Sequence, residues 1–579
     1  MKKWQIRGGA AASLLAVMAA AGCLAAPVYY LNDDTTIRYI LSGACTGIPD
    51  SHAVQMGYPL TWLLAALYRL AGKLRIFVPW FDLFMAGCIL LAGMGILMGC
   101  REIAGEKKTF WRLVLILTGT AFFMGMFLPN YLYMHYTIVA AMLAGSALFL
   151  WGSGHGRGLP LCLLGLCYLV RTEVFLLAMP FLLVAALDGL LREAGSREKG
   201  RGWMERLRPA LKRQWRPLLV LALMAAVFWG INRVGYGSQD WQKYWQYFDN
   251  RVKLYDYTDF PSTDRYGEYY EQLGLDWGQY QVLFHYDTIL DQSIDEQVLE
   301  QVESGINGLK ENVPTGQRVR QCLREYYLHM RYDGTTYGLL WAGCCGLLLI
   351  LLTAYRRWDK LLLLAALELG RSMIWLFLIA RGRFPERIWI TLYLIETGLL
   401  LGMLLRECVD CDGMQAVGGK KWFPVTAMIL CLALAGSVVP MQLRHTAQRV
   451  ARQQVKQDQW NLLADSLDQQ YLYLMDVYSA VAYAGEVYGR DDGHILLLGG
   501  WLAQSPLVRQ RLAAYGAGDG AQALRHEQVR LLVEGSRDVA WLEEYLRQRL
   551  GAVKLQAQES IACGENLEFV VYRLVEQDA

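Results

Sequence analysis

Apolar stretches of about twenty residues recur along the chain, and they constrain its fold more than any other feature. A helix of that length can cross the hydrocarbon core of a bilayer. Hydrophobic residues make up 54% of the 579 residues, and charged residues rarely interrupt these stretches. The pattern predicts an α-helical polytopic membrane protein with about eleven transmembrane helices. The predicted spans are residues 8–30, 78–99, 109–128, 135–151, 158–171, 172–190, 216–233, 336–354, 360–380, 388–406 and 422–440.

The distribution of lysine and arginine predicts how the helices are oriented. Basic residues concentrate in every second short connection, and residues 191–216 hold the largest cluster. By the positive-inside rule, the N-terminus and that cluster are cytoplasmic in a plasma membrane. A signal peptide is the alternative for residues 8–30, but the apolar run continues past Cys23, which favours an uncleaved helix. A net charge of +3 gives no reason to expect a nucleic-acid partner.

This orientation places three larger regions outside the cytoplasm. The first loop, 31–77, contains an apolar segment at 57–72 that is short and followed by basic residues, so we expect a helix on the membrane surface. A second loop, 234–335, is acidic and rich in tyrosine and tryptophan. The tail, 441–579, alternates strand-like and helix-like segments, which predicts a soluble extracytoplasmic α/β domain after a transmembrane domain at 1–440.

Two adjacent carboxylates, Asp33 and Asp34, follow the first predicted span in the sequence YLNDDTTIRYILSG. Asn or Asp before an apolar helical stripe commonly caps a helix, and that explains one acid. Two acids at a membrane surface also suit a general base or the ligands of a divalent cation. We expect at least one of them to be functional.

Three further residues in the outer connections are candidate ligand-binding groups. Asp50 and His52 lie among turn-forming residues of the first loop, where a solvated loop also explains them. His135 lies in LPNYLYMHY, between the third and fourth spans, where the tyrosines could also form an interfacial aromatic belt. All three fall on the predicted outer face, as do Asp33 and Asp34.

Charged residues at two other connections predict an anion-binding site. Arg171 and Glu173 lie between two short apolar segments, and charges at that depth are usually paired or functional. Arg381, Arg383 and Arg387 occur together in ARGRFPERIW, in an outer loop that is unusually basic. Clustered guanidinium groups suit the phosphate of a lipid, although contacts with anionic headgroups are the alternative.

One predicted span contains two charged side chains of its own. Glu368 and Arg371 are three residues apart within residues 360–380, and residues at this spacing are neighbours on a helix. Because an isolated charge inside a bilayer is costly, we expect the two side chains to form an internal ion pair.

These motifs resemble the GT-C superfamily of polytopic glycosyltransferases. The acidic motif after the first span, the predicted surface helix in the first loop and the break LVRTEV between two short spans carry the resemblance, which covers residues 1–440. It implies that Asp33 or Asp34 is the base or metal ligand, with a divalent cation, Mg²⁺ or Mn²⁺, as a possible cofactor. It also implies a polyprenyl-phosphate-linked donor whose phosphate the arginines hold. No WWDYG-type motif is present, which argues against asparagine glycosylation.

The resemblance therefore predicts an enzyme that moves a sugar from a lipid-linked donor to an envelope glycan or lipid acceptor. A polymerase or ligase of surface polysaccharide is an alternative that has no need of the acidic pair. A lipid-linked sugar transporter or flippase is another, and it predicts two equivalent halves with charges at the bilayer midplane. A non-catalytic scaffold is the fourth possibility.

Overall fold

The architecture follows from a computed structural model that describes residues 3–105, 109–195, 203–257, 263–309, 314–411, 422–489 and 493–577. Eight helical segments are long and apolar enough to cross a membrane, and three shorter apolar helices lie at the other predicted spans. The expected polytopic helical fold is confirmed. In chain order these helices are α1 (Lys3–Leu24), α4 (Trp80–Ala104), α5 (Thr109–Phe122), α7 (Tyr136–Gly152), α8 (Gly158–Val170), α9 (Thr172–Gly195), α10 (Trp203–Gly235), α16 (Thr335–Ala354), α17 (Trp358–Ala380), α18 (Glu386–Asp410) and α19 (Phe423–Ser466).

The helix α7 forms the centre of the membrane part, and every one of its residues is buried. It packs directly against α18, where Gly145 of one helix faces Gly398 of the other. A Cβ atom at either position would collide with the backbone of the opposite helix. Small residues permit this close backbone approach, as is common between membrane helices.

The segment between α1 and α4 departs from the expected first span. α1 ends at Leu24, and Val28–Tyr29 forms a short strand, β1, parallel to β2 (Tyr133–Met134). The acidic motif then begins helix α2 (Asn32–Ser42), and α3 (Tyr58–Lys73) corresponds to the expected surface helix. α3 packs against α2, α8 and α10 and leaves several large apolar side chains of its other face exposed.

A π-helical turn at Phe123–Phe127 leads from α5 into the remaining short helix of the membrane part, α6 (Leu128–Leu132).

The acidic loop after α10 is built of short helices. The helices of the acidic loop are α11 (Gln239–Arg251), α12 (Thr263–Gln272), α13 (Trp277–Phe284), α14 (Glu296–Leu309) and α15 (Thr315–Tyr332).

The tail contains the predicted α/β domain, whose sheet has five strands in the order β4-β3-β5-β7-β6. β3 runs parallel to β4 and β5, whereas β7 is antiparallel to β5 and β6. α19 continues past residue 440 to Ser466, and the sheet begins six residues later. The strands are β3 (Leu472–Met475), β4 (Ile495–Leu497), β5 (Val529–Glu534), β6 (Val553–Gly564) and β7 (Leu567–Glu576), and the helices are α20 (Val477–Ala480), α21 (Pro506–Ala513), α22 (Gly520–Ala523) and α23 (Ala540–Leu550).

The acidic loop and the α/β domain pack together. The backbone N–H of Ile289 donates to the carbonyl of Leu498 at 2.8 Å, which joins the loop to the residue after β4. Arg549 of α23 pairs with the buried carboxylate of Asp291 at 2.7 Å. Because such buried polar contacts hold both partners in place, the loop and the domain form one soluble unit above the membrane helices.

Candidate functional site

The first turn of α2 separates the two acidic side chains. Successive helical residues point about 100° apart, and here Asp34 is fully buried whereas Asp33 is partly exposed. Asp34 accepts a hydrogen bond of 2.9 Å from the backbone N–H of Tyr136, at the start of α7. Leu31 is the N-cap residue, and its side chain makes no capping bond. Neither acid is therefore the N-cap residue, although both lie in the first turn of α2, where a carboxylate interacts favourably with the helix dipole.

Asp34 has the environment of a structural carboxyl group. Burial raises its pKa well above the usual range, and the nearby charges of Asp33 and Asp82 act in the same direction. The N–H of Tyr136 opposes this shift but satisfies only one oxygen. The second oxygen, Oδ2, has no hydrogen-bond partner among the described residues. The site therefore favours the protonated form of Asp34, which fastens α2 to α7.

A buried ion pair fixes the other side of α2. Arg38 pairs with Asp82, in the first turn of α4, at 3.4 Å, and both side chains are almost completely inaccessible. Arg38 also donates to the carbonyl of Glu486, in the α/β domain. Thr35 accepts a further bond of 3.0 Å from the backbone of Gly485. α2 is thus held between a membrane helix and the soluble domain.

Asp33 is held by a residue that the sequence analysis did not identify. Its Oδ1 accepts a hydrogen bond of 3.0 Å from the indole Nε1 of Trp501, which follows β4. This partly exposed carboxylate lies near enough to Arg171 for the two charges to interact. An oriented and accessible carboxylate beside a cation can accept a proton from a bound hydroxyl group.

Arg171 lies at the break between α8 and α9, in an extended backbone conformation. It forms an ion pair with Glu173 at 2.9 Å, and Glu173 is 66% exposed. Its guanidinium also donates to the carbonyl of Gln55 at 3.1 Å and to the side chain of that residue. The cation lies over the ring of Tyr136, 5.4 Å from its centre. Arg171 is therefore both paired with Glu173 and close to the acidic motif.

His135 and Arg387 also lie near Tyr136. His135 is fully buried immediately before α7, accepts a bond of 3.0 Å from the N–H of Thr137 and stacks on Tyr136. The charges of Arg171 and Arg387 both act on His135 and on Tyr136. Arg387 itself forms no ion pair with any residue that the structure describes. The structure thus brings two guanidinium groups to the vicinity of His135 and Tyr136.

The structure places the other two arginines elsewhere. Arg383 pairs with Asp256, at the end of the π-helical turn that follows α11, and lies over the ring of Tyr257. Arg381 is exposed at the end of α17, over the ring of Phe377. Arg381 and Arg383 therefore contact other residues, whereas the charge of Arg387 acts on Tyr136.

Asp50 and His52 contact each other rather than the acidic pair. The Oδ1 of Asp50 lies 2.7 Å from both the backbone N–H and the Nδ1 atom of His52. Burial alone raises the pKa of Asp50, but these hydrogen bonds outweigh it and hold the pKa below its usual value. The ring of His52 stacks on Trp241, and its Nε2 contacts the carbonyl of Gly235 at 3.1 Å. The pair anchors the first loop to α10 and α11.

The acidic pair lacks the partners of a metal site. No group of three or more His, Cys, Asp or Glu side chains is arranged to hold a metal ion within the described ranges. Asp33 shares one oxygen with Trp501, and Asp34 is buried against α7. Since Mg²⁺ and Mn²⁺ prefer several oxygen ligands, these residues do not fit either cation.

A cavity of about 470 Å³ opens beside Tyr30, between the starts of α16 and α18 and the middle of α19. Tyr30 and Trp389 contribute to its wall, as does the ion pair of Glu386 with Arg449 at 2.6 Å. The hydroxyl of Tyr30 donates to Glu386 at 3.3 Å. Tyr30, three residues before Asp33, therefore lies in the wall of this cavity between the membrane helices.

The fold and this arrangement define a polytopic helical membrane protein with an α/β domain that contacts the first loop. The fold is similar to the crystal structure of ArnT from Cupriavidus metallidurans in the apo state, with 12% identity, a TM-score of 0.39, and coverage of 97% of this chain and 98% of that chain. It is also similar to ArnT from the same organism bound to undecaprenyl phosphate, with 12% identity, a TM-score of 0.37, and coverage of 96% and 97%.

Likenesses at this identity and TM-score concern the overall architecture, and they assign no residue and no reaction to this chain. No protein-family model matches the chain, and no curated protein matches it.

Proposed function

We propose that the chain is a membrane glycosyltransferase of the GT-C type. It moves a sugar from a polyprenyl-phosphate-linked donor to a glycan or lipid acceptor of the envelope. One observation carries the proposal. The accessible carboxylate of Asp33 is oriented by Trp501 and lies near Arg171. The charges of Arg171 and Arg387 both act on the neighbouring ring of Tyr136. A base and a pair of cations near a membrane surface are what transfer from a lipid phosphate requires.

In the proposed reaction, Asp33 accepts the proton of an acceptor hydroxyl. The freed oxygen attacks the anomeric carbon of the donor sugar and forms the new glycosidic bond. The bond between that carbon and the phosphate oxygen breaks, and its electron pair leaves with the polyprenyl phosphate. Atoms and charge balance without a nucleotide, because the phosphate-linked sugar is already activated. General-base catalysis of this kind contributes roughly 10²- to 10⁴-fold.

Arg387 and Arg171 have different parts in this proposal. Arg387 forms no ion pair among the described residues, so its guanidinium can bind the leaving phosphate. Arg171 is already held by Glu173 and Gln55, and it supplies a fixed positive charge beside Asp33. Fixed charges directed at a developing anion stabilise the transition state with little reorganisation.

The cavity between the starts of α16 and α18 and the middle of α19 supports a position for the donor. Its wall contains polar side chains, including Arg449, that suit the phosphate and sugar of a lipid-linked donor. We place it on the extracytoplasmic face of a plasma membrane, with the N-terminus cytoplasmic, because basic residues cluster in the connections of the other face.

The test uses the full chain reconstituted in liposomes with radiolabelled polyprenyl-phosphate sugars, covering hexoses, pentoses and amino sugars. We expect release or transfer of labelled sugar from at least one donor, and an Asp33→Asn variant that is inactive with it. Arg381→Gln, which changes an exposed charge outside the site, serves as the control. Movement of intact labelled lipid between leaflets with no release of sugar would support the transporter instead.

A further inference from the structure

A second cavity, of about 200 Å³, lies between the α/β domain and α2. It opens at the carboxyl ends of β3 and β4, with residues 477–485 and 499–502 forming its rim. In open sheets with parallel strands, ligands bind outside the carboxyl ends of the strands. The cavity is therefore located where this kind of sheet ordinarily holds a ligand.

The lining of this cavity combines aromatic faces with short polar groups. Tyr286, Tyr483 and Trp501 contribute rings, while Asn32 and Thr36 contribute polar side chains from the exposed side of α2. Binding sites for small molecules typically pair such apolar faces with a few fixed polar groups. Aromatic rings cover the C–H faces of a pyranose, and amide and hydroxyl groups bind its hydroxyls.

The two cavities are lined by different residues of the segment that contains Asp33. Tyr30 lines the cavity between the membrane helices, whereas Asn32 and Thr36 line the cavity of the α/β domain. Trp501 belongs to the wall of the second cavity and is also the residue that donates to Asp33. A ligand in the second cavity therefore lies against Trp501, a residue that contacts the carboxylate of Asp33 directly.

We propose that the cavity at the carboxyl ends of β3 and β4 binds the sugar ring of the acceptor and presents one of its hydroxyls to Asp33. This inference rests on the proposed function. It assigns the α/β domain the role of acceptor recognition and leaves the membrane cavity to the donor. Trp501 is then a positioning residue that both contacts the acceptor and orients the base.

The cavity can be filled without disturbing the core. Val481 lies on its rim with 53% of its surface exposed, so Val481→Trp directs an indole into the space. Val455, on α19, is 58% exposed and takes no part in the cavity lining, so Val455→Trp is the matched control.

The experiment measures saturation transfer by NMR from the purified full chain to a panel of methyl glycosides of glucose, galactose, mannose, N-acetylglucosamine and glucuronic acid. We expect at least one glycoside to receive saturation. Val481→Trp should reduce that signal about tenfold, while Val455→Trp and Asp33→Asn keep it. The absence of a signal for every glycoside, or an equal signal with Val481→Trp, overturns the inference.

Donor hydrolysis in the absence of any acceptor separates this inference from the proposed function. It needs only the membrane cavity and Asp33, so the wild-type protein should hydrolyse a labelled polyprenyl-phosphate sugar without a glycoside present. A protein that binds glycosides in the cavity but releases no sugar from any donor contradicts the transferase and leaves the sugar site standing. A protein that hydrolyses donor but gives equal glycoside signals in both tryptophan variants contradicts the acceptor site alone.

Discussion

The indole Nε1 of Trp501 donates a hydrogen bond of 3.0 Å to Oδ1 of Asp33, although 468 positions separate the two residues. One residue belongs to the first helix after the first membrane span, and the other follows a strand of the C-terminal domain. The contact makes the soluble domain part of the site. It also distinguishes Asp33 from its neighbour, because Asp34 faces the buried start of α7.

Removal of the indole donor should lower turnover while leaving donor binding unchanged. A hydrogen bond to a charged group contributes about 1.5 to 3 kcal/mol, so we expect Trp501→Phe to reduce kcat at least tenfold with little change in the KM of the donor. Steady-state kinetics with a labelled donor measures both constants. Trp277→Phe alters an exposed indole on α13 and is the control. Equal kcat values for Trp501→Phe and the wild type would show that the bond has no positioning role.

Neutralisation of Arg387 should weaken the stabilisation of the leaving phosphate. Loss of one donor to a developing oxyanion costs roughly 10²- to 10³-fold in rate, so we expect Arg387→Gln to slow sugar release by about that factor. Arg381→Gln removes an exposed arginine that lies over Phe377 and should retain the wild-type rate. The comparison is made at saturating donor. A similar loss in both variants would indicate a general effect of surface charge on the lipid substrate.

The buried carboxyl of Asp34 should make stability depend on pH. Because burial raises its pKa in the folded protein, the folded state binds the proton more tightly than the unfolded chain, whose aspartates titrate near pH 3.9. Stability therefore falls as the pH rises from about 4 towards the folded-state pKa. Asp34→Asn cannot ionise, so its Tm relative to the wild type should increase between pH 4 and pH 8. A constant difference in thermal denaturation across that range contradicts the assignment.

The ion pair of Arg38 and Asp82 should be important for folding. Removing one partner of a buried pair leaves the other charge uncompensated and costs about 3 to 5 kcal/mol. We therefore expect Arg38→Gln to lower Tm markedly in detergent. Arg509→Gln, an exposed change on α21, should stay within about 0.5 kcal/mol of the wild type. Equal denaturation curves for the two variants would show that the ion pair of Arg38 with Asp82 does not stabilise the fold.

Hydropathy and charge in the sequence predicted the eleven apolar helices and the strands and helix of the tail that have a strong apolar pattern. They missed β6, an edge strand whose residues are largely exposed and show little alternation. They also extended the first span to residue 30, since Val28–Tyr29 is apolar but pairs as a strand with residues 133–134. Apolar composition alone does not show which partner a short segment finds.

Only part of the candidate site was predicted from the sequence, again because local patterns do not show which distant residues come into contact. Local spacing identified Asp33, Asp34 and Arg171, but contacts between distant segments decide what each side chain does. Arg371 illustrates this point, because it pairs with Glu396 of α18 at 2.7 Å rather than with Glu368 of its own helix. Trp501 gave no signal in the sequence, since nothing local in HILLLGGW indicates a contact with the first loop.

The rate of sugar release by Asp33→Asn and Asp34→Asn tests the central claim most directly. Both variants remove one carboxylate from the same turn of α2, so they are matched in chemistry and position. The account predicts that Asp33→Asn loses roughly 10²- to 10⁴-fold in release from a labelled polyprenyl-phosphate donor, while Asp34→Asn stays within about tenfold of the wild type. Wild-type activity in Asp33→Asn, or a loss confined to Asp34→Asn, would contradict it.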